Sequence, residues 1–223
     1  MDSTASRLTA SLIATIGWFA LALQAVLLLG QADSLGQSRA ELAIRFVSYF
    51  TILTNAFCAA VMTSIATESR ILRRLRTADA RMAAAVYITV VAIVYALILR
   101  ALWNPAGPQW LADMLLHTAL PAAVALHWLS WGTAGAQPWS RAIAWLAYPL
   151  LYTLAVMARG AWSGFYPYPF FNPSQGLGRL ALNTGALLVL FVATGLAFIA
   201  IGRMLAKSPA PIRPRRSGSR SGR

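Results

Sequence analysis

The sequence predicts an all-α integral membrane protein in which six transmembrane helices form one bundle. Of the 223 residues, 58% are hydrophobic and only 11% are charged, whereas soluble domains carry about 25% charged residues. So few charges cannot cover the surface of a water-soluble protein of this size. The apolar residues also fall into six segments, each long enough to cross about 30 Å of hydrocarbon. Because a backbone in lipid has to satisfy its own hydrogen bonds, these segments are predicted to be helices.

The predicted spans are residues 8–30, 42–66, 82–103, 108–132, 140–160 and 178–202. The first segment follows Arg7, as the apolar part of a signal peptide follows basic residues. Its apolar run is longer than a signal peptide needs, so we expect it to remain as the first helix of the transmembrane domain, residues 1–202. Residues 203–223 are rich in Pro, Ser, Gly and Arg and are predicted to be a disordered basic tail.

The distribution of arginine predicts the orientation of the bundle. Fourteen of the 19 basic residues lie on the side that also holds both termini. The other five lie on the opposite side: Arg39, Arg45, Arg100, Arg159 and Arg179. The positive-inside rule therefore places both termini in the cytoplasm. The net charge of +13 follows from this placement and does not indicate a nucleic-acid partner.

Metal and cofactor sites are not predicted. Cys58 is the only cysteine, so neither an intramolecular disulfide nor a cysteine metal cluster can form. Asp113 is the only acid within the spans, and no second histidine shares a helix face with His117.

Polar residues in the second span form a candidate site. In the run SYFTILTN, Ser48, Thr51 and Asn55 occupy positions i, i+3 and i+7 on one helix face, with Thr54 beside them. Hydroxyl groups in membrane helices often bond their own or a neighbouring helix, so a structural role remains open.

The fourth span contains the run DMLLHTALP, in which Asp113 and His117 lie one turn apart. A carboxylate at this spacing can orient the imidazole, as in hydrolytic triads. Pro121 cannot donate a hydrogen bond to the His117 carbonyl, so the helix is expected to loosen there. The alternative is a buried histidine bonded to a neighbouring helix.

The candidate residues of the second and fourth spans, Thr51 and His117, are predicted to lie at the same depth in the membrane. Thr51 and His117 each lie nine residues from the outer end of their predicted span, which corresponds to about 13 Å. We therefore expect them to share a layer in the outer half of the bundle. Arg100, Tyr152 and Asn183 are predicted to lie in the same half.

The loop between the fifth and sixth spans has the sequence AWSGFYPYPFFNPSQGLG. Its aromatic residues are typical of the belt that anchors a protein among lipid head groups. This interpretation places Trp162, Phe165, Tyr166 and Tyr168 at the interface. The alternative is that the loop caps a cavity that opens outward.

Three segments, YFTILTN, LLHTALP and YPYPF, resemble in order and spacing the androgen-induced and androgen-dependent family of membrane proteins, and especially its bacterial six-span members. The resemblance extends from about residue 8 to residue 202. Eukaryotic members hydrolyse fatty acid esters of hydroxy fatty acids with a threonine nucleophile and a histidine. The resemblance implies that Thr51 is the nucleophile, that His117 is the base and that the chain lies in a bacterial inner membrane. Thr54 directly precedes Asn55, so the choice between the two threonines stays open.

These observations lead to the hypothesis of a lipid-ester hydrolase that acts on a fatty-acyl ester from the outer leaflet. Asp113 would orient His117, and Asn55 or Tyr152 would donate to the oxyanion. Arg100 would pair with Asp113 or hold a fatty-acid carboxylate. The candidate substrate-binding residues are Arg100, Tyr152, Thr54 and Asn183. The alternative is a non-catalytic membrane protein that binds a small molecule or couples its transport to protons.

Overall fold

The computed structural model describes residues 2–132 and 137–207, and these residues form helices and connecting loops without any β-strand. The α-helices are α1 Thr4–Leu29, α2 Ala32–Leu35, α3 Arg39–Val47, α4 Phe50–Thr67, α5 Ala78–Val94, α6 Gly107–Met114, α7 Leu120–Trp131, α8 Arg141–Ala144, α9 Ala147–Ser163 and α10 Leu177–Lys207. π-Helical turns continue two of them at Tyr95–Leu99 and Leu115–Ala119. Short 3-10 turns lie at Arg73–Arg76, Arg100–Leu102, Pro169–Phe171 and Pro173–Gln175.

Five helical segments of this described part are long and apolar enough to cross a membrane. They are Thr4–Leu29, Phe50–Thr67, Ala78–Leu102, Arg141–Ser163 and Leu177–Ala206. The fourth predicted span, residues 108–132, is helical from Gly107 to Trp131 but is not among them. Its Asp113, His117 and His127 lower its hydropathy.

Contacts between helix ends show that α1 and α5 run in one direction and α4 and α7 in the other. Arg81, in the first turn of α5, forms an ion pair of 2.7 Å with Asp2, just before α1. Arg7 in α1 pairs at 3.5 Å with Glu68, which follows α4. His127, in the second half of α7, also bonds the Ser6 carbonyl at 3.1 Å. We call this end of the bundle, where α1 and α5 begin and α4 and α7 end, the basic end.

The second predicted span is not one helix, which corrects the interpretation of residues 42–66. α3 ends at Val47 and α4 begins at Phe50, and the backbone of Tyr49 between them is extended. The hydroxyl of Tyr152 donates to the Ser48 carbonyl at 2.8 Å and accepts from the Phe50 N–H at 3.2 Å. The Tyr152 hydroxyl of α9 thus forms hydrogen bonds with backbone groups that the break leaves without a helical partner.

This break also changes the predicted depth of Thr51 in the membrane. Thr51 lies in the first turn of α4 rather than nine residues into a span. Ser48 lies outside α4, so only Thr51 and Asn55 share a helix face.

Two other predicted boundaries differ from the structure. The fifth span is divided between α8 and α9, with Trp145 and Leu146 in a turn between them. The last helix runs on to Lys207, so residues 203–207 are helical rather than part of a disordered tail. The remainder of that predicted tail, residues 208–223, lies outside the described residues.

Small residues allow close packing inside the bundle, while large apolar residues cover its surface. A Cβ atom on Gly17 of α1 would lie 3.2 Å from the Ala59 side chain of α4, so a larger residue there would require the two helices to shift by a few tenths of an ångström. Exposed leucine, valine and phenylalanine side chains follow the helices along their length: Leu8, Leu12, Phe19, Val26, Leu126, Leu151, Leu154, Leu182 and Val189. Such an extended apolar surface is rare on soluble monomers and suits contact with lipid.

Candidate functional site

Asp113 and His117 come together with a third residue, Tyr95. The His117 Nδ1 atom lies 3.2 Å from Asp113 Oδ1 and 3.0 Å from the Asp113 carbonyl oxygen. The Tyr95 hydroxyl donates to Asp113 Oδ2, and its ring stacks on the imidazole with centroids 4.1 Å apart. Nδ1 faces the carboxylate, so Nε2 is the ring nitrogen left for another partner.

Two π-helical turns position this cluster. His117 lies in the turn Leu115–Ala119, where the N–H of Leu120 bonds the Leu115 carbonyl, five residues back. Pro121 follows, and the loosening expected near it is present. Tyr95 begins the other π turn, at the end of α5. Such turns are rare and frequently lie at functional sites because they turn side chains away from their usual helical direction.

Thr51 has a different partner, which the sequence did not indicate. Its Oγ1 atom lies 3.3 Å from the Tyr168 hydroxyl, and its backbone N–H donates to the same oxygen at 3.2 Å. Tyr168 is buried, as is Phe171 nearby, whereas Trp162 is 94% exposed. The loop of residues 164–176 therefore folds into the bundle at Tyr168 and Phe171. The interpretation of Tyr168 as a head-group anchor is replaced by that of a cap.

Beneath this cap lies a narrow cavity of about 50 Å³ between α4, α5, α9 and α10. Most of its lining is apolar, and Thr51 and Tyr152 are the predicted site residues that contribute to it. Asp113 and His117 do not line it. The cavity is therefore narrow and apolar, and the Thr51 hydroxyl lies at its wall.

Asn55 connects the two candidate groups through the backbone. Its Nδ2 atom donates to the Thr51 carbonyl at 2.8 Å and to the Leu116 carbonyl at 3.2 Å. Leu116 immediately precedes His117. The amide N–H groups are occupied in this way, so Asn55 holds the two segments together instead of offering a free donor to an oxyanion. Its Oδ1 atom is buried and has no hydrogen-bond partner among the described residues.

The other predicted residues have separate contacts. The Thr54 hydroxyl lies 3.1 Å from the Tyr148 hydroxyl and is fully buried, outside the cavity. Asn183 donates to the Phe170 carbonyl at 3.2 Å, which helps to hold the cap on α10. Arg100 is exposed and forms no ion pair with Asp113 in the described part of the chain.

Within residues 2–132 and 137–207, no group of three or more His, Cys, Asp or Glu side chains could hold a metal ion. No protein-family model, curated protein or solved structure matches the chain.

Proposed function

We propose that the chain is a six-span integral membrane protein that hydrolyses lipid esters, with Thr51 as nucleophile and His117 as base. Five long apolar helices and the apolar surface support the membrane placement. The helical residues 107–131 would form the remaining span, because Asp113 and His127 are buried against other helices rather than facing lipid. The arginine distribution supports cytoplasmic termini, and a bacterial inner membrane follows from the family resemblance.

Asn55 joins the two candidate catalytic segments, and this contact is the strongest support for the proposal. Both the Thr51 carbonyl and the Leu116 carbonyl lie within 3.2 Å of its Nδ2 atom. The peptide units next to the nucleophile and the base are thus held side by side. The order of YFTILTN and LLHTALP, which resembles the androgen-induced family, supports the same assignment of Thr51 and His117.

The reaction follows the scheme of an acyl-enzyme hydrolase. His117 Nε2 takes the proton of the Thr51 hydroxyl as Oγ1 attacks the ester carbonyl carbon. The tetrahedral intermediate collapses, the bond to the alcohol oxygen breaks, and the alcohol leaves with the proton from His117. Water, deprotonated by His117, then cleaves the acyl-threonine and releases the carboxylic acid. Asp113 holds the imidazole with Nδ1 protonated and so favours Nε2 as the acceptor.

The position of Thr51 favours the build-up of negative charge. It lies in the first turn of α4, at the positive end of the helix dipole, which favours an anion. The Tyr168 hydroxyl, which contacts Thr51 Oγ1, is the nearest side-chain donor for the oxyanion. Part of the acyl chain of the ester would lie in the apolar cavity.

One observation favours the second candidate function, proton-coupled transport or ligand binding. Tyr95, Asp113 and His117 form a continuous hydrogen-bonded chain that does not line the cavity. Ionisable groups linked in this way inside a membrane can relay protons.

A covalent hydrolase probe separates the two functions. Purified protein would be treated with a fluorophosphonate, and the labelled residue would be identified by mass spectrometry. We expect labelling at Thr51 that is lost in His117→Ala and kept in His127→Ala. His127 is the matched control, because it is a buried histidine bonded to Ser6. An unlabelled wild-type protein that remains folded would contradict the hydrolase proposal.

A further inference from the structure

Two arginines share one carboxylate at the end of the bundle opposite the basic end. Arg45 Nε and Arg159 Nη2 each lie 3.0 Å from the same atom, Glu41 Oε1. The Arg45 hydrogen bond holds the pKa of Glu41 below its usual range, so this carboxylate is charged at neutral pH. Together with Glu41, Arg45 and Arg159 therefore carry one excess positive charge. We call Arg45 and Arg159 the arginine pair.

The donors of the arginine pair are not all used. A guanidinium group has five N–H donors in a planar fork, and Glu41 occupies a single nitrogen of each arginine. Arg159 Nη1 is buried and has no hydrogen-bond partner among the described residues. An unpaired buried donor of a charged group is costly, which indicates that a further acceptor belongs here.

Phe165 contacts both guanidinium groups. Its ring lies 4.5 Å from the Arg45 Cζ atom and 5.0 Å from the Arg159 Cζ atom. Cation–π contact with the ring holds the two guanidinium groups beside each other.

The surroundings of the arginine pair are those of a lipid head group. Ile44 and Val47 on α3 are about half exposed, at 49% and 53%, and Trp162 at the end of α9 is 94% exposed. Aromatic and apolar side chains around a cationic site are typical of the membrane interface, where a lipid places its acid group beside its chains.

We propose that Arg45 and Arg159 form a binding site for the oxyanion head group, phosphodiester or carboxylate, of a lipid. The site rests on the membrane placement proposed above but not on ester hydrolysis. Contacts through Tyr49 connect it to the cavity: the Tyr49 ring lies 6.2 Å from Phe165 and 5.9 Å from Tyr168, as centroid distances. A lipid bound at the arginine pair therefore lies beside the cap.

Native mass spectrometry of the full chain in neutral detergent tests the site. The probes would be phosphatidylglycerol, oleate, phosphatidylcholine and inorganic phosphate. We expect the wild-type protein to bind one of the two acidic lipids about tenfold more tightly than phosphatidylcholine. A preference for phosphatidylglycerol identifies a phosphodiester ligand, and a preference for oleate identifies a carboxylate. The proposal would be overturned if inorganic phosphate competed for the site while the protein bound neither acidic lipid more tightly than phosphatidylcholine.

Variants assign the binding to these residues. Arg45→Gln with Arg159→Gln should abolish the preference, and Glu41→Gln, which removes the competing carboxylate, should strengthen binding. Arg39→Gln is the matched control, because Arg39 is an exposed arginine on the same helix. An equal loss in Arg39→Gln, or none in the double variant, would refute the site. If the double variant does not fold, the single variants still test the site, because Arg45→Gln should weaken binding of the acidic lipid and Glu41→Gln should strengthen it.

The same variants distinguish this site from the hydrolase. Fluorophosphonate labelling of Thr51 should be unchanged in the double arginine variant, since neither arginine contacts Thr51. If lipid binding depends on these arginines but the fluorophosphonate never labels Thr51, the lipid site is supported and the hydrolase proposal is contradicted.

Discussion

The imidazole of His117 lies nearly parallel to the phenol ring of Tyr95, with centroids 4.1 Å apart and planes inclined by 14°. The two residues come from separate π-helical turns and share Asp113, which accepts from the Tyr95 hydroxyl and contacts His117 Nδ1. The orientation of His117 thus depends on a stacking contact and on a carboxylate that is itself held in place.

The first prediction concerns this positioning. Tyr95→Phe keeps the stacked ring but removes the donor to Asp113, so we expect a fall in the labelling rate of no more than about tenfold. Asp113→Asn should lower the rate further, by about ten- to hundredfold, because a charge-assisted contact to His117 is lost. Both should be milder than His117→Ala. The check is the rate of fluorophosphonate labelling from neutral to acidic pH; a Tyr95→Phe variant as inactive as His117→Ala would show that the hydroxyl takes part directly.

The second prediction compares two buried tyrosines. Tyr168→Phe removes the hydroxyl next to Thr51, and we expect the labelling rate to fall by about a hundredfold, as for the loss of an oxyanion donor. Tyr148→Phe removes the partner of Thr54 instead and should leave the rate within about twofold. If Tyr168→Phe retained the wild-type labelling rate and an intact cavity, Tyr168 would cover the cavity without donating to the oxyanion.

Local features of the site could be predicted from the sequence. The contact between Asp113 and His117 follows from their spacing of one helical turn, and the loosening near Pro121 follows from the missing N–H of proline. Tertiary partners could not be predicted in this way. Tyr95 and Tyr168 come from other segments of the chain: Tyr95 does not stand out in the sequence, and the motif YPYPF that contains Tyr168 does not indicate its contact with Thr51.

The break between α3 and α4 was missed for a related reason. Residues 42–66 are apolar enough on average to be predicted as one span, and hydropathy does not register a change in backbone direction. The extended backbone at Tyr49 is stabilised by Tyr152, more than a hundred residues later. Helix continuity in this segment is therefore decided by tertiary hydrogen bonds rather than by local composition.

A third prediction concerns pH and the docking of the N-terminus. Hydrogen bonds from Arg81 hold the pKa of Asp2 below its ordinary value of 3.8. A carboxyl whose pKa is lower in the folded state adds stability above its unfolded pKa and loses it as the pH falls through the folded pKa. We expect the wild-type Tm to fall more steeply below about pH 3.8 than that of Asp2→Asn, which should be less stable at pH 7. Thermal unfolding in detergent measures both, and parallel pH profiles would contradict the role of this ion pair.

A fourth prediction concerns topology. Cys58, the only cysteine, is buried, so cysteines introduced elsewhere can be labelled selectively. Ser174→Cys in the cap should react with a membrane-impermeant maleimide on intact cells. Arg70→Cys at the basic end should react only after permeabilisation, and reporter fusions after residue 75 and at the C-terminus should report the cytoplasm. Labelling of Arg70→Cys but not Ser174→Cys on intact cells would invert the orientation.

The last prediction separates Thr51 from Thr54, which lie about 60° apart around α4 and have different surroundings. Thr51 lines the cavity and contacts Tyr168, whereas Thr54 is fully buried, bonded to Tyr148 and outside the cavity. A substrate in the cavity can reach the Thr51 hydroxyl but not that of Thr54.

We therefore expect Thr51→Ala to abolish fluorophosphonate labelling and ester turnover, while Thr51→Ser keeps part of both because the hydroxyl survives. Thr54→Ala should keep most of the labelling and lose only stability, by about 1–3 kcal/mol, because Tyr148 is left without its partner. His117→Ala should be about as damaging as Thr51→Ala, and the double variant little worse than either, since the two residues act as a unit. Labelling and turnover are measured on the same preparations, with Tm as the control for folding. A folded but inactive Thr54→Ala beside an active Thr51→Ala would assign the nucleophile to Thr54; activity in all of these variants would exclude this site from the reaction.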